Sequence, residues 1–414
     1  MDITEIRSKF PQLSLKIYGD KQLVYLDNAA TALRPASVID KWRDLSEHCS
    51  ANIHRAVHFV AAEATEEYEK ARKAVAEYIN AESEKEIIFT SGTTASINMV
   101  AFSFGEAFVH EGDEIIVSES EHHSDIVPWQ MMCSRKHATL KVLPVDDFGR
   151  LKISELPGLI TGRTRIVCVT QISNVLGLVN PIRRIAEICH SRNCLLLVDG
   201  AQGMVHAPLD VREADCDFYA FSGHKMYAAP GTGGLYGKKA LLDALPPYMG
   251  GGEMIESVKW SGTTYAPVPQ RFEAGTQNFA GAPTLCPAIE MMKIMDSSAE
   301  VRTEQKAIVD YLLETLGSDE RIHLYGMPGE TDGSNFVKIP LFSFSVEHCH
   351  HEDLALILDK MGIALRSGQM CAEPLMDRFG VTGMLRASFA PYNTLQEAEY
   401  FVASLDRAIK MLER

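Results

Sequence analysis

Leu195-Leu196-Leu197-Val198-Asp199-Gly200-Ala201-Gln202 is the stretch on which the fold turns. Four apolar residues in a row, stopped by an acid and a glycine, describe a buried strand that delivers a carboxylate to a sheet edge. The same texture recurs outward from it. Ile87-Ile88-Phe89, Glu114-Ile115-Ile116-Val117 and Arg165-Ile166-Val167-Cys168-Val169 read as further strands. Helical patterns lie between them, such as residues 181–191, which put Ile182, Ile185, Ala186 and Ile188 on one face. Strands alternating with amphipathic helices predict an α/β domain on a mostly parallel sheet.

Past residue 290 the pattern changes. Helices are predicted over 299–316, 351–361 and 395–412, around Asn335-Phe336-Val337-Lys338-Ile339-Pro340 and Phe342-Ser343-Phe344-Ser345. This mixture predicts a smaller α+β domain at 291–414 after a larger one at 21–290, with residues 1–20 packing on the smaller. A chain of 414 residues is long enough for two such domains.

Composition narrows the function classes. Hydrophobic residues at 46% and charged residues at 23% are globular values. A net charge of −15 argues against nucleic-acid or anionic-membrane partners, which need a basic face. No apolar run approaches the roughly 20 residues of a membrane span. Met1-Asp2-Ile3-Thr4-Glu5 lacks the layout of a signal peptide, so a cytoplasmic enzyme is expected. The nine cysteines include no Cys-x-x-Cys, and Cys168, Cys189 and Cys194 sit in apolar patterns as small core residues.

Several motifs carry chemistry. Lys225, in Ser222-Gly223-His224-Lys225, stands 26 residues after Asp199. Alone, such a lysine is ordinarily solvated and such an aspartate ordinarily a cap. Together they supply what pyridoxal phosphate requires: an amine for a Schiff base and a carboxylate that keeps the pyridine nitrogen protonated. Ser91-Gly92-Thr93-Thr94 follows a strand and opens a helix, where N–H groups and hydroxyls can meet a phosphate. Gly231-Thr232-Gly233-Gly234-Leu235-Tyr236-Gly237-Lys238 fails both nucleotide spacings and reads as a turn into a strand.

His122, in Glu121-His122-His123, offers a ring that can stack on a planar cofactor and move protons. His348-Cys349-His350-His351 reads as a solvated helix cap, and no metal is expected. Arg366-Ser367-Gly368-Gln369-Met370-Cys371 places a thiol near an arginine on a glycine-bearing, mobile loop. Arg386 interrupts the apolar alternation of Leu385-Arg386-Ala387-Ser388-Phe389, as a carboxylate-gripping guanidinium would.

Taken together these residues resemble the class V, fold-type-I pyridoxal-phosphate enzymes, and within them the SufS-type group II cysteine desulfurases. The likeness runs from Tyr25-Leu26-Asp27-Asn28-Ala29-Ala30 to Arg386-Ala387-Ser388. Its sharpest parts are Glu121-His122-His123, Ser173-Asn174-Val175-Leu176-Gly177, Asp199-Gly200-Ala201-Gln202, Phe221-Ser222-Gly223-His224-Lys225 and Arg271-Phe272-Glu273-Ala274-Gly275-Thr276. Arg-x-Gly-x-x-Cys at 366–371 marks group II.

The resemblance implies a fold-type-I enzyme in which Lys225 bonds the cofactor and later takes the substrate Cα proton. Asp199 would pair with the pyridine nitrogen, Gln202 with the ring hydroxyl, and His122 would stack on the ring. Thr93, Thr94, Ser222 and His224 would bind the phosphate, with Thr276 entering from a second subunit of a homodimer. Asn174, Arg366 and Arg386 would hold L-cysteine. Cys371 would attack the substrate sulfur, leaving alanine and a persulfide for an acceptor protein of the SufE or SufU type in iron–sulfur cluster assembly. Selenocysteine lyase and cysteine-sulfinate desulfinase activities are the alternatives on the same scaffold. The family often carries His-His or Gln-His before the cysteine; here Gln369-Met370 stands there, and methionine cannot move a proton.

Overall fold

The structure, a computed structural model, describes residues 1–413. Its centre is a seven-stranded sheet of β1 (Ile87–Thr90), β2 (Glu114–Ser118), β3 (Thr139–Leu143), β4 (Thr164–Thr170), β5 (Leu195–Asp199), β6 (Phe218–Ser222) and β7 (Gly233–Gly237). Across the sheet the order is β1-β7-β6-β5-β4-β2-β3. Only β7 runs antiparallel to its neighbours, and the others share one direction.

Helices cover both faces, which is why β4 to β6 can carry apolar residues on both sides: Val167, Val169, Leu196, Val198, Phe218 and Phe221 are fully buried. Each such side chain contributes about 1.5–3 kcal/mol when removed from water. The helix expected at 181–191 spans Ile182–His190 and buries Ile182, Ile185, Ala186 and Cys189 against the sheet. The glycine run at 231–237 is a turn into β7.

A second, four-stranded sheet contains β8 (Ile322–Tyr325), β9 (Leu341–Val346), β10 (Arg366–Gly368) and β11 (Met384–Ser388), ordered β8-β9-β11-β10. The helices Ala299–Gly317, His351–Lys360 and Leu395–Leu412 accompany it. Thr394 caps the last of these through a capping box with Glu397, and Glu397 in turn pairs with Arg7 at 2.7 Å. Ile6, Phe10 and Leu13 enter the core of the larger sheet, so the N-terminal segment bridges both layers. Val24 and Leu26, expected with the larger domain, instead lie in the core of the smaller one. The reason is pairing: Val24–Tyr25 aligns in parallel with Ile363–Ala364. Among the described residues no helix is long and apolar enough to cross a membrane, and no group of three or more metal-ligating side chains forms.

Candidate active site

Because six strands of the central sheet run the same way, their C-terminal ends share one edge, and the loops leaving them converge there. The smaller sheet closes over this edge, leaving a cavity of about 570 Å³. Thr93, Thr94, His122, Asn174, Asp199, Ser222, His224, Lys225, Arg366, Cys371 and Arg386 all line it. Residues more than 290 positions apart in the chain are thus brought together.

Beyond β1, Gly92 adopts φ +141° and the helix Thr93–Phe108 begins. Ser222, at the end of β6, accepts from Thr93 N–H at 2.8 Å and donates to Thr93 Oγ1 at 2.8 Å. Thr94 Oγ1 lies 2.7 Å from Ser124 Oγ, and His224 Nδ1 lies 3.1 Å from Thr31 Oγ1. Hydroxyls therefore ring a helix N-terminus, whose first N–H groups have no partner within the helix.

Asp199 ends β5 wholly buried, accepting one backbone bond from Ala201 N–H at 2.8 Å. Burial raises its pKa, while Lys225 pulls it back down. Burial lowers the pKa of Lys225, against an opposing pull from Asp199. The two attract through space without a hydrogen bond between them, so the cavity separates amine from acid. A planar ring with a phosphate arm fits that space, the hydroxyl-ringed helix start at one end and the acid at the other.

His122 is held near a pKa of about 4, by burial first and then by Lys225, His123 and Arg386. It is neutral at pH 7. Ser124 N–H donates to its Nδ1 at 3.1 Å, so the ring carries its proton on Nε2.

Arg386 Nη1 donates to Asn174 O at 2.8 Å, and Nη2 reaches Asp27 at 3.2 Å. Its Nε is buried without a partner among the described residues. Asp27 also faces the half-exposed Arg366 at 3.5 Å. The Arg386 guanidinium lines the cavity, where it can grip a carboxylate.

Cys371 is exposed, and its segment is docked rather than free. Cys371 O accepts from His123 N–H at 2.7 Å, Met370 O accepts from Asn174 Nδ2 at 2.8 Å, and Glu373 N–H donates to His123 Nε2 at 3.0 Å. Met370 and Cys371 both have φ +55°. Met370 is 8% exposed and packs into the main core, so the residue that cannot move a proton serves as an apolar anchor. The thiol shares the cavity with Lys225 and Arg386.

Two expected residues lie outside the cavity wall. Gln202 is buried behind it, donating to Ala29 O at 2.8 Å. Thr276 is exposed in a separate groove with Tyr248, Met249 and Phe272.

Reading the sequence left Asp27, Glu121 and Asp125 without roles. Leu26-Asp27-Asn28-Ala29 repeats the signal of Val198-Asp199-Gly200-Ala201, an acid between an apolar residue and small ones. Glu121 and Asp125 are fully buried beside His122, each with one oxygen lacking a partner among the described residues. Burial, then mutual repulsion and Asp199, push Glu121 well up, and burial with Asp199 does the same to Asp125.

Comparison with known proteins agrees with this geometry. The aminotransferase class-V family profile matches residues 24–401. A cysteine desulfurase of Serratia proteamaculans is 44% identical over 411 residues, covering 99% of each chain. The crystal structure of the Escherichia coli cysteine desulfurase CsdA superimposes with a TM-score of 0.88 at 38% identity, covering 99% of both chains. An apo cysteine desulfurase from Thermococcus onnurineus NA1 also gives 0.88, at 33% identity and 98% coverage of both.

Proposed function

The chain belongs to the class-V aminotransferase family, and from that premise we propose a cysteine desulfurase of the group II, SufS type. The enzyme is pyridoxal-phosphate-dependent and acts on L-cysteine. One observation carries the reading: Lys225, Asp199, Arg386 and Cys371 line the same cavity.

When bound, pyridoxal phosphate supplies an electron sink for charge left at the substrate Cα. Thr93, Thr94, Ser222 and His224 would hold its phosphate, with Thr276 of a second subunit. Asp199 would keep the pyridine nitrogen protonated, Gln202 would serve the ring hydroxyl, and His122 would stack. The Arg386 guanidinium and the Asn174 amide would orient the substrate carboxylate, with Arg366 at the mouth. The buried Lys225 has a lowered pKa, so more of its amine is free to take the Cα proton on Nζ. His122, neutral with hydrogen on Nε2, would donate rather than accept there.

Cys371 Sγ would attack the substrate sulfur. The Cβ–S bond breaks as the S–S bond forms, and the proton given up by the thiol goes to the alanine carbon, so no external oxidant or reductant is consumed. The persulfide would pass to an acceptor protein of the SufE or SufU type for iron–sulfur cluster assembly, in the cytoplasm, from a homodimeric enzyme.

The test is Cys371→Ser. The holoenzyme variant is expected still to change its absorption on adding L-cysteine, because binding rests on Lys225, Asn174 and Arg386, yet to release almost no sulfur. Retained turnover of selenocysteine or cysteine sulfinate alone would favour those alternatives. A fully active Cys371→Ser, or a persulfide found on Cys349 by mass spectrometry, overturns the assignment.

A further inference from the structure

Lys338 is a buried cation that the reaction outlined above does not use. It is 6% exposed, and burial alone lowers its pKa to about 7. Its Nζ donates to Leu176 O at 2.7 Å, Gly326 O at 2.8 Å and Tyr325 O at 3.4 Å, and lies 5.1 Å from the centre of the Phe342 ring. Among the described residues it has no carboxylate partner; all its hydrogen bonds go to carbonyls. Burying an ammonium this way is costly unless the bonds it makes are needed.

One of those bonds reaches a loop of the larger domain, and the other two anchor the ammonium on Tyr325 and Gly326. Ser173–Gly177 forms a closed arch leaving β4, sealed at its base by Ile172 pairing with Val179 and by Gly177 N–H donating to Ser173 O at 2.9 Å. The arch cannot satisfy the carbonyls at its own tip. Three in succession take donors from the smaller domain: Asn174 O from Arg386 at 2.8 Å, Val175 O from Ser343 Oγ at 2.5 Å, and Leu176 O from Lys338 at 2.7 Å. From the same tip, the Asn174 amide holds Met370 O beside Cys371.

We infer that Lys338, with Ser343 beside it, is a positioning residue that clamps the Ser173–Gly177 arch, setting where Asn174 and Arg386 meet the substrate carboxylate. This rests on the desulfurase reading above. Lys338 touches neither substrate nor thiol; it acts through the Leu176 carbonyl. A displacement of about 1 Å at such a site is enough for a hundredfold loss.

The test is Lys338→Met as holoenzyme, measured beside wild type for alanine release from L-cysteine and for binding of L-alanine followed by cofactor absorption. The KM for L-cysteine and the Kd for L-alanine are expected to rise together by about tenfold or more, the loss of one charged hydrogen bond. A lower melting temperature with both constants unchanged, or a fall in kcat alone, overturns the clamp. If Lys338→Met does not fold, Ser343→Ala decides: it removes the neighbouring donor without disturbing a buried charge. A parallel rise in its two constants supports the clamp, and wild-type values overturn it. Wild type that releases no alanine from L-cysteine defeats the desulfurase reading instead, whatever the variants do.

Discussion

At the scale of single residues, the least expected chemistry is the acid pair beside His122. Glu121 Oε1 accepts from Ser118 Oγ and from Thr170 N–H, the latter at 2.7 Å, and Asp125 Oδ1 accepts from Trp129 Nε1 at 2.8 Å. The two carboxyls are buried together and repel one another, and each keeps one oxygen without a hydrogen-bond partner among the described residues. One proton held between them satisfies both, since neighbouring buried carboxylates cannot both ionise. The unfolded chain loses that proton above about pH 5. The folded state then binds more protons than the unfolded one, so stability falls as pH rises. Glu121→Gln keeps both accepted bonds and offers Asp125 a permanent N–H donor. The variant is expected to be more stable than wild type by about 1 kcal/mol or more at pH 8. Melting curves from pH 5 to 9 check it: the gap should widen with pH, and a gap that is constant or widens toward acid contradicts the shared proton.

At the scale of elements, the start of the helix Thr93–Phe108, proposed above to hold the phosphate, depends on the antiparallel β7 beside it. A Cβ built on Gly233 would lie 2.5 Å from both Gly92 Cα and Phe221 O, which are backbone atoms that cannot rotate away. The glycine run therefore serves close packing, not nucleotide binding. Gly233→Ala is expected to cost about 1–3 kcal/mol by overpacking. It should also push Gly92 out of line with Ser222, so that cofactor is lost more readily on dialysis. Absorbance per protomer before and after dialysis measures this; undiminished retention would show that β7 does not brace the cradle.

At the scale of the whole molecule, Thr276 is the telling residue. It is exposed outside its own cavity, yet the segment before it is fixed: Glu273 is bonded by the buried Arg72 at 2.6 and 2.9 Å, and it accepts from Phe89 N–H at 2.7 Å. A rigidly presented, exposed hydroxyl suits a partner's site better than its own. If the sites are composite, mixing Lys225→Ala and Thr276→Glu subunits yields heterodimers with one intact site each. Random pairing should then restore about a quarter of wild-type activity from two impaired parents. Light scattering should show the active species to be a dimer, and no recovery on mixing would place Thr276 with its own subunit.

The sequence by itself determined the fold class and the chemistry. Short apolar runs such as 195–198, stopped by an acid and a glycine, read as buried strands, and an amine, an acid and a thiol of the right types were visible at Lys225, Asp199 and Cys371. Local pattern carries that information because strand burial and nucleophile type depend on near neighbours. Only the tertiary structure decided what restrains those groups. Asp27 on Arg386, Asn174 on Met370 and Lys338 on Leu176 are contacts set by how loops from separate strands converge. Nothing in a residue's own neighbourhood encodes them, because a buried polar group takes its partner from whichever segment packing brings within 3 Å.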